Sequence, residues 1–139
     1  MASESNSDVL RRAGKHFNDP ASREAYFDLY DERAVLHGYA GVEPGIASIK
    51  QFYAAFWAAF PDSQLLFEDI FEASDKLACR FVVEATHAGP FVGVPATGRR
   101  VTLPGITILR FENGKCVERW SQADFLGVMV QIGALPAPA

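Results

Sequence analysis

The residue with the clearest capacity for chemistry is Asp124. It closes a strand-like run over residues 116–124, and the apolar residues 125–130 follow it directly. A carboxylate at such a border between water and core can exchange protons near neutral pH, as general acid/base catalysis requires. Asp is also a favoured N-cap residue, and on local pattern alone capping of the following helix is the more common role.

A base that removes a proton from carbon needs a partner for the enolate oxygen, either a hydrogen-bond donor or a cation. The candidates are His37, His87, Arg110, Tyr53 and Gln122. The histidines also have structural explanations, since His37 fits a partly buried residue bonded to backbone and His87 fits an anchor for the Gly/Pro-rich loop after it. Neither histidine stands at a compact metal-ligand spacing with Asp124, so no metal site is expected.

The turn before the last strand decides which face of the sheet Arg110 shares. A two-residue turn at 113–114, which the Asn-Gly pair favours, puts Arg110 on the face opposite Asp124. A three-residue loop over 112–114 with a glycine bulge puts it on the face of Trp120 and Asp124. In that second position its charge would weaken Asp124 as a base, or would stabilise an enolate or a substrate carboxylate.

Aromatic residues are abundant, with 11 Phe, four Tyr and two Trp. Such rings fill a core or line a pocket for a flat apolar ligand. Phe56 and Trp57 are neighbours on the longest apolar segment, so they point in different directions, one onto the sheet and the other into a cavity or a subunit contact. Phe91 lies in the irregular segment 89–98, which fits a lid over the pocket or a dimer contact.

Composition limits the classes of function. With 139 residues, residues 1–139 are expected to form one domain, with loose ends at 1–6 and 135–139. A net charge of −4 and a pI of about 5.3 argue against nucleic acid as a partner. The N-terminus lacks a signal-peptide pattern and no apolar run reaches the ~20 residues of a membrane span. We therefore expect a cytoplasmic protein with two reduced, buried cysteines and no membrane partner.

The elements that must position these side chains follow from periodicity. Apolar spacing predicts helices over 7–18, 22–29, 46–60 and 125–132, and alternation predicts strands over 34–38, 65–71, 77–87, 101–112 and 115–122. Helices that precede an antiparallel meander predict an α+β fold with helices on one side of a curved sheet. The gap between a bent sheet and its helices is the expected pocket.

Several runs in these elements resemble the SnoaL-like polyketide cyclase family. They are Ala59-Phe-Pro-Asp62, residues 86–100, Gly114-Lys115, Trp120, Asp124 and residues 131–136. The resemblance extends from about residue 35 to 136. It implies the fold of nuclear transport factor 2, a cone-shaped antiparallel sheet with three to four helices enclosing a pocket. That fold also occurs in steroid isomerases, dehydratases, epoxide hydrolases and non-catalytic binders, so the fold alone implies no activity.

The resemblance implies that Asp124 is the acid/base residue of an intramolecular aldol condensation, without metal or organic cofactor. His37 fits a family histidine, whereas Arg110 stands where characterised cyclases have His and replaces a neutral acid/base group with a fixed positive charge. The expected contacts of a small apolar carbonyl substrate are Trp120, Tyr53, Phe56, Trp57, Gln122 and Phe91. An isomerase, dehydratase or hydroxylase-type variant and a non-catalytic binding protein are the alternatives. Exposed apolar area on the open side of the sheet favours a homodimer or homotetramer.

Overall fold

The computed structural model of the chain describes residues 4–137. These residues form helices α1 (Asn6–Phe17), α2 (Ile46–Ala59) and α3 (Phe125–Gln131), a 3₁₀ helix (Arg23–Leu29), and strands β1 (Tyr30–His37), β2 (Gln64–Ala73), β3 (Lys76–Thr86), β4 (Arg100–Glu112) and β5 (Lys115–Ala123). Each predicted element is present. The chief differences are that β1 begins four residues earlier than expected and that the second helix is of the tighter 3₁₀ type.

The five strands form one curved, unclosed sheet in the order β1-β5-β4-β3-β2. Strands β2 to β5 are an antiparallel meander, as the turn signals predicted. Strand β1 runs parallel to β5, so the sheet is mixed rather than wholly antiparallel. No short turn joins these two strands, and their relative direction is therefore free of the constraint that a hairpin imposes. The α+β class with a cone-shaped sheet is confirmed.

The hairpin between β4 and β5 combines features of both alternatives. Asn113 and Gly114 occupy a two-residue turn, with φ of 52° and 77°. The pairing then slips by one residue, because Arg110 lies opposite Glu118 rather than Val117. The extra residue forms a β-bulge, which reverses the alternation of β5 beyond it. Arg110 therefore shares a face with Trp120, although the turn itself has two residues.

The core lies between the concave face of the sheet and the helices. Strand β4 alternates strictly, with Val101, Leu103, Leu109 and Phe111 almost fully buried. Helix α1 begins with a capping box at Ser5 and buries its apolar stripe. Its first residue, Asn6, is thus helical rather than part of a loose end, whereas residues 1–3 and 138–139 lie outside the described residues.

The convex face of the sheet is covered by none of the described helices. Five large apolar side chains on it are at least one-third exposed: Leu66, Phe71, Ile106, Ile108 and Trp120. No helix among the described residues is long and apolar enough to cross a membrane.

Candidate functional site

The concave face of the sheet and the helices enclose a pocket of about 550 Å³, its open mouth included. Its wall is mostly aromatic and aliphatic, with one charged residue. The lining residues are Phe17, Tyr26, Gly38, Tyr39, Phe52, Tyr53, Phe56, Leu65, Phe81, Val83, Leu103, Arg119, Ser121, Ala123 and Phe125. A concave, largely apolar site with few polar groups is typical of small-molecule binding.

Two glycines shape this pocket by letting backbone and rings approach closely. Gly38 has a φ of 85°, and a Cβ there would collide with the carbonyl oxygen of Ser121. Gly105 lies directly under the ring of Phe81, so that a Cβ would collide with the ring. Phe81 lines both the pocket and a depression on the convex face.

The charged residue of the wall is Arg119, which is only 7% exposed. Its Nε donates to Thr107 Oγ1 at 2.9 Å, and its Nη1 donates to the hydroxyls of Tyr30 at 2.7 Å and Tyr26 at 3.2 Å. Within residues 4–137, Arg119 forms no ion pair with a carboxylate. Its positive charge is therefore solvated by neutral oxygens alone.

The tyrosines around Arg119 are linked to one another. The hydroxyls of Tyr26 and Tyr30 are 2.8 Å apart, and Tyr26 donates to Tyr53 at 3.0 Å. Burial raises the pKa of all three phenols and of Tyr39, although the charge of Arg119 acts in the opposite direction. The phenols therefore stay protonated at neutral pH and cannot neutralise the guanidinium.

A second set of hydroxyls fixes the other side of the guanidinium. Thr107 Oγ1 lies 2.7 Å from Ser121 Oγ, which in turn lies 3.0 Å from the hydroxyl of Tyr39. Burial opposes the charged form of Arg119, whereas the tyrosine and threonine oxygens that accept its hydrogen bonds favour it. The arginine is thus a permanent, rigidly held cation at the pocket wall.

Asp124 does not line this pocket. Its Oδ1 accepts a hydrogen bond of 2.8 Å from the backbone N–H of Gly127, which makes Asp124 the N-cap of α3. The residue is exposed and borders the shallow convex depression. Its two neighbours, Ala123 and Phe125, do line the pocket, so Asp124 stands at the rim of the pocket rather than inside it. A role for Asp124 as a base stays a prediction.

Four other candidate residues meet on the convex face. His37 Nε2 donates to Glu118 at 2.8 Å, and the His37 ring stacks on Trp120 with centroids 5.4 Å apart. Gln122 lines the same outer groove. Arg110 lies beside them and pairs with Glu112 at 2.9 Å and Glu118 at 3.3 Å. The structure brings these residues together, but on the opposite side of the sheet from the enclosed pocket.

The remaining candidates are divided between core and pocket. Tyr53 and Phe56 line the pocket. Trp57 does not, since it packs on Tyr26 and Phe27 with its Nε1 buried and unpartnered among the described residues.

His87 and Phe91 belong to the loop region after β3. His87 is fully buried, and its Nδ1 lies 2.9 Å from Thr97 Oγ1, so it anchors the loop. Phe91 packs on Phe60 and on Phe125, one residue behind the pocket wall. Their roles in substrate binding stay predictions.

Sequence reasoning did not single out Arg119. The available signal was the number of tyrosines on otherwise apolar segments, because buried phenols require polar partners. Within residues 4–137 no group of three or more His, Cys, Asp or Glu is placed to bind a metal ion.

Comparisons with known proteins place this architecture in a family. The family model for the SnoaL-like polyketide cyclase matches residues 8–132. The aklanonic acid methyl ester cyclase DnrD of Streptomyces peucetius is 27% identical over 134 residues, which cover 91% of this chain and 89% of DnrD.

Two solved structures are similar throughout. AclR of Streptomyces galilaeus, provisionally described as a hydroxylase, superposes with a TM-score of 0.85 at 28% identity, covering 96% of this chain and 84% of AclR. IdmH of Streptomyces antibioticus, provisionally described as a polyketide cyclase, gives a TM-score of 0.78 at 29% identity, covering 94% and 99% of the two chains. The chain belongs to the SnoaL-like polyketide cyclase family.

Proposed function

We propose that this protein is a cofactor-independent acid/base enzyme that closes a ring in an apolar, polyketide-like carbonyl compound by an aldol-type condensation. The observation that carries the proposal is the aromatic pocket with a single buried cation on its wall. The aromatic surfaces suit a flat apolar molecule, and a cation that has no carboxylate partner within residues 4–137 suits a carbonyl oxygen that becomes negative during the reaction.

The stabilising group in this proposal is Arg119 rather than Arg110. An enolate formed in the pocket places its charge against a low-dielectric wall, where one cation contributes far more than in water. Arg110 lies on the convex face and is already paired with two glutamates. In this proposal, Arg110 therefore does not take over the role of the histidine that characterised cyclases have at this position.

Asp124 remains the proposed base. Since the carboxylate stands at the rim and caps α3, the carbon to be deprotonated must lie at the pocket mouth, next to Phe125. The enolate oxygen is on the carbon next to the one that loses its proton, so the substrate would have to bind with that oxygen directed inward, toward the Arg119 side of the pocket. The cap need not be lost, because the second carboxylate oxygen, Oδ2, is not engaged by Gly127.

The test is enolisation in deuterated water. 2-Acetylnaphthalene is a flat apolar ketone whose methyl protons exchange slowly, and exchange is followed by mass spectrometry. We expect the wild-type protein to accelerate exchange and Asp124→Asn to lower that acceleration by a factor of about 10² or more. Asn caps helices as well as Asp does, so this variant removes the base and keeps the fold. A loss below tenfold with the fold intact overturns the base assignment.

Two alternatives have a specific observation in their favour. The similarity to AclR favours a hydroxylase-type variant in the same pocket. The hydrogen bond between Asp124 and Gly127 favours a non-catalytic binding protein, since the candidate base already has a structural role. A protein that binds the ketone tightly without accelerating its exchange would support the binding role over the enzymatic one.

We also propose that two copies associate through the convex face, as a homodimer or within a homotetramer. The support is the exposed apolar set on that face, which includes Ile106, Ile108 and Trp120. Exposed apolar area of this kind marks association surfaces. Sedimentation equilibrium at micromolar concentration tests the proposal, and a monomer would contradict it.

A further inference from the structure

Two buried arginines of this protein are satisfied in different ways. Arg23 uses every nitrogen, donating to the carbonyl oxygens of Phe17, Pro61 and Ser63. This is the pattern of a structural arginine that ties loops together. Arg119 uses only Nε and Nη1. Within residues 4–137 no acceptor is hydrogen-bonded to its Nη2, so two N–H groups of a buried cation remain free.

The Nη2 of Arg119 is not fully enclosed by protein atoms. Only Trp57 Nε1 and His87 Nε2 are buried without a partner in the described part of the chain. Nη2 of Arg119 also has no partner, but it is not one of these fully buried atoms. Part of its surface is therefore accessible. Since Arg119 lines the pocket, that surface faces the pocket interior. An unpaired charge in such a position is costly unless an anion joins it.

The geometry of the guanidinium selects the kind of anion. A carboxylate binds arginine best as a fork that spans two nitrogens on one edge. Here each edge that includes Nη2 is already half occupied, by Thr107 on the Nε side and by the tyrosine hydroxyls on the Nη1 side. Only one nitrogen is free, and it matches a single charged oxygen.

The hydroxyl of Tyr53 is a second hydrogen-bond donor for the same ligand oxygen. Tyr26 accepts from Arg119 and donates its own proton to the hydroxyl of Tyr53. Tyr53 therefore accepts within the cluster. Its own proton is left with a long contact of 3.4 Å to the hydroxyl of Tyr30, which a ligand oxygen at normal hydrogen-bond distance can replace. Tyr53 also lines the pocket. The cluster thus presents an excess of donors, and no carboxylate among the described residues accepts from it.

We propose that the pocket binds its ligand in the ionised form, as the enolate of an acidic dicarbonyl compound or the phenolate of a hydroxylated aromatic compound. The single charged oxygen accepts from Arg119 Nη2 and from Tyr53, and the ligand's proton is released to solvent. This inference rests on the proposed function, because it takes the same pocket as the place where the carbonyl compound binds.

The experiment uses 4-nitrophenol, whose phenolate is yellow, and 4-nitroanisole, its methyl ether, which cannot ionise. Bound nitrophenol is titrated by absorbance with the full chain in excess. We expect it to ionise about one pH unit or more below free nitrophenol, which corresponds to at least about tenfold tighter binding of the phenolate than of the phenol. 4-Nitroanisole should bind at least about tenfold more weakly than the phenolate.

Variants test which residues lower the pH at which bound 4-nitrophenol ionises. Arg119→Met should abolish the shift and leave 4-nitroanisole binding within about twofold, while Tyr53→Phe should reduce the shift in part. Arg100→Met is the matched control, since Arg100 is exposed and paired with Asp62. A shift that persists in Arg119→Met, or that disappears equally in Arg100→Met, overturns the proposal. If Arg119→Met fails to fold, the wild-type titration and Tyr53→Phe still decide.

The remaining outcomes separate this inference from the proposed function. If wild-type protein binds nitrophenol as the neutral phenol, or binds neither probe, the oxyanion inference is wrong. If 4-nitrobenzoate binds more tightly than the phenolate, a carboxylate is preferred and the single-oxygen assignment is wrong. Acceleration of ketone exchange, which tests the proposed function, is measured independently and can succeed in any of these cases.

Discussion

Arg110 and Arg119 belong to one hairpin and have opposite surroundings. Arg110 projects from the convex face, partly exposed, between Glu112 and Glu118. Arg119 projects from the concave face, 7% exposed, among neutral hydroxyls. An exposed ion pair contributes little to stability because water and salt screen it. A buried cation without a counter-ion is costly and is consistent with a ligand-binding role. Arg110 on the convex face therefore belongs to a surface ion pair, whereas Arg119 on the concave face is the candidate functional group.

The largest expected effect concerns the enolisation rate of Arg119→Met. Arg119 is the only charged group among the described residues that line the pocket. Its removal should lower ketone exchange by about 10²-fold, because a preorganised cation for the enolate is lost. Arg110→Met should change the rate by less than about threefold, since Arg110 lies outside the pocket. Stability should change by less than about 2 kcal/mol in Arg119→Met, as a buried charge is replaced by an apolar chain. Equal rate losses in the two variants would contradict the assignment of Arg119, rather than Arg110, as the group that stabilises the enolate.

The next effect compares adjacent side chains of β4. Leu109 is fully buried on the concave side, and Ile108 is 41% exposed on the convex side. Leu109→Ala should cost about 2–5 kcal/mol in urea unfolding. Ile108→Ala should cost less than about 1 kcal/mol at low protein concentration, where any dimer dissociates. A cost for Ile108→Ala that grows with protein concentration would show that the convex face is an association surface.

A smaller effect is expected at the cap of α3. Asp124→Ala removes the acceptor for the Gly127 N–H and should destabilise the protein by about 1 kcal/mol, whereas Asp124→Asn should be nearly neutral. Chemical denaturation of the two variants measures the difference. Equal stability of both variants and the wild type would mean that the carboxylate does not act as a cap in solution, which would strengthen its assignment as a base.

The smallest effect is the acid dependence of the convex cluster. The hydrogen bond from His37 and the charge of Arg110 hold the pKa of Glu118 below its usual range. A depressed folded-state pKa gives stability that is present above the unfolded-state pKa, roughly 4.3, and is lost as pH falls through the folded-state value. The melting temperature of Glu118→Gln should therefore decrease less than that of the wild type between neutral pH and about pH 3.5. High salt should weaken the same contribution in the wild type.

Most of the fold was predictable from local patterns. The apolar stripe of α2, the alternation of β3 and the Asn113-Gly114 turn each reflect short-range physics, and their positions agree with the structure within a few residues. The parallel pairing of β1 with β5 was not predictable in this way, because it joins segments about 80 residues apart. Alternation identifies a strand but carries no information about its partner.

The candidate site was predictable only in part. Tyr53 and Phe56 were expected in the pocket and lie there. Trp120, Gln122 and Asp124 were expected beside them and lie at the convex face or the rim. The cause is the single bulge at Val117, which exchanges the two faces for the rest of β5. A bulge depends on how two strands fit over a curved surface, so no residue of β5 predicts it.

The sequence by itself determined the helices and strands, the family, and the candidate residues for chemistry, which include Asp124, two of the three histidines and Tyr53. Only the tertiary structure decided that Arg119 turns inward and Arg110 outward. One inserted residue reverses the direction of every later side chain in a strand, and the burial of a charge depends on which side the helices cover.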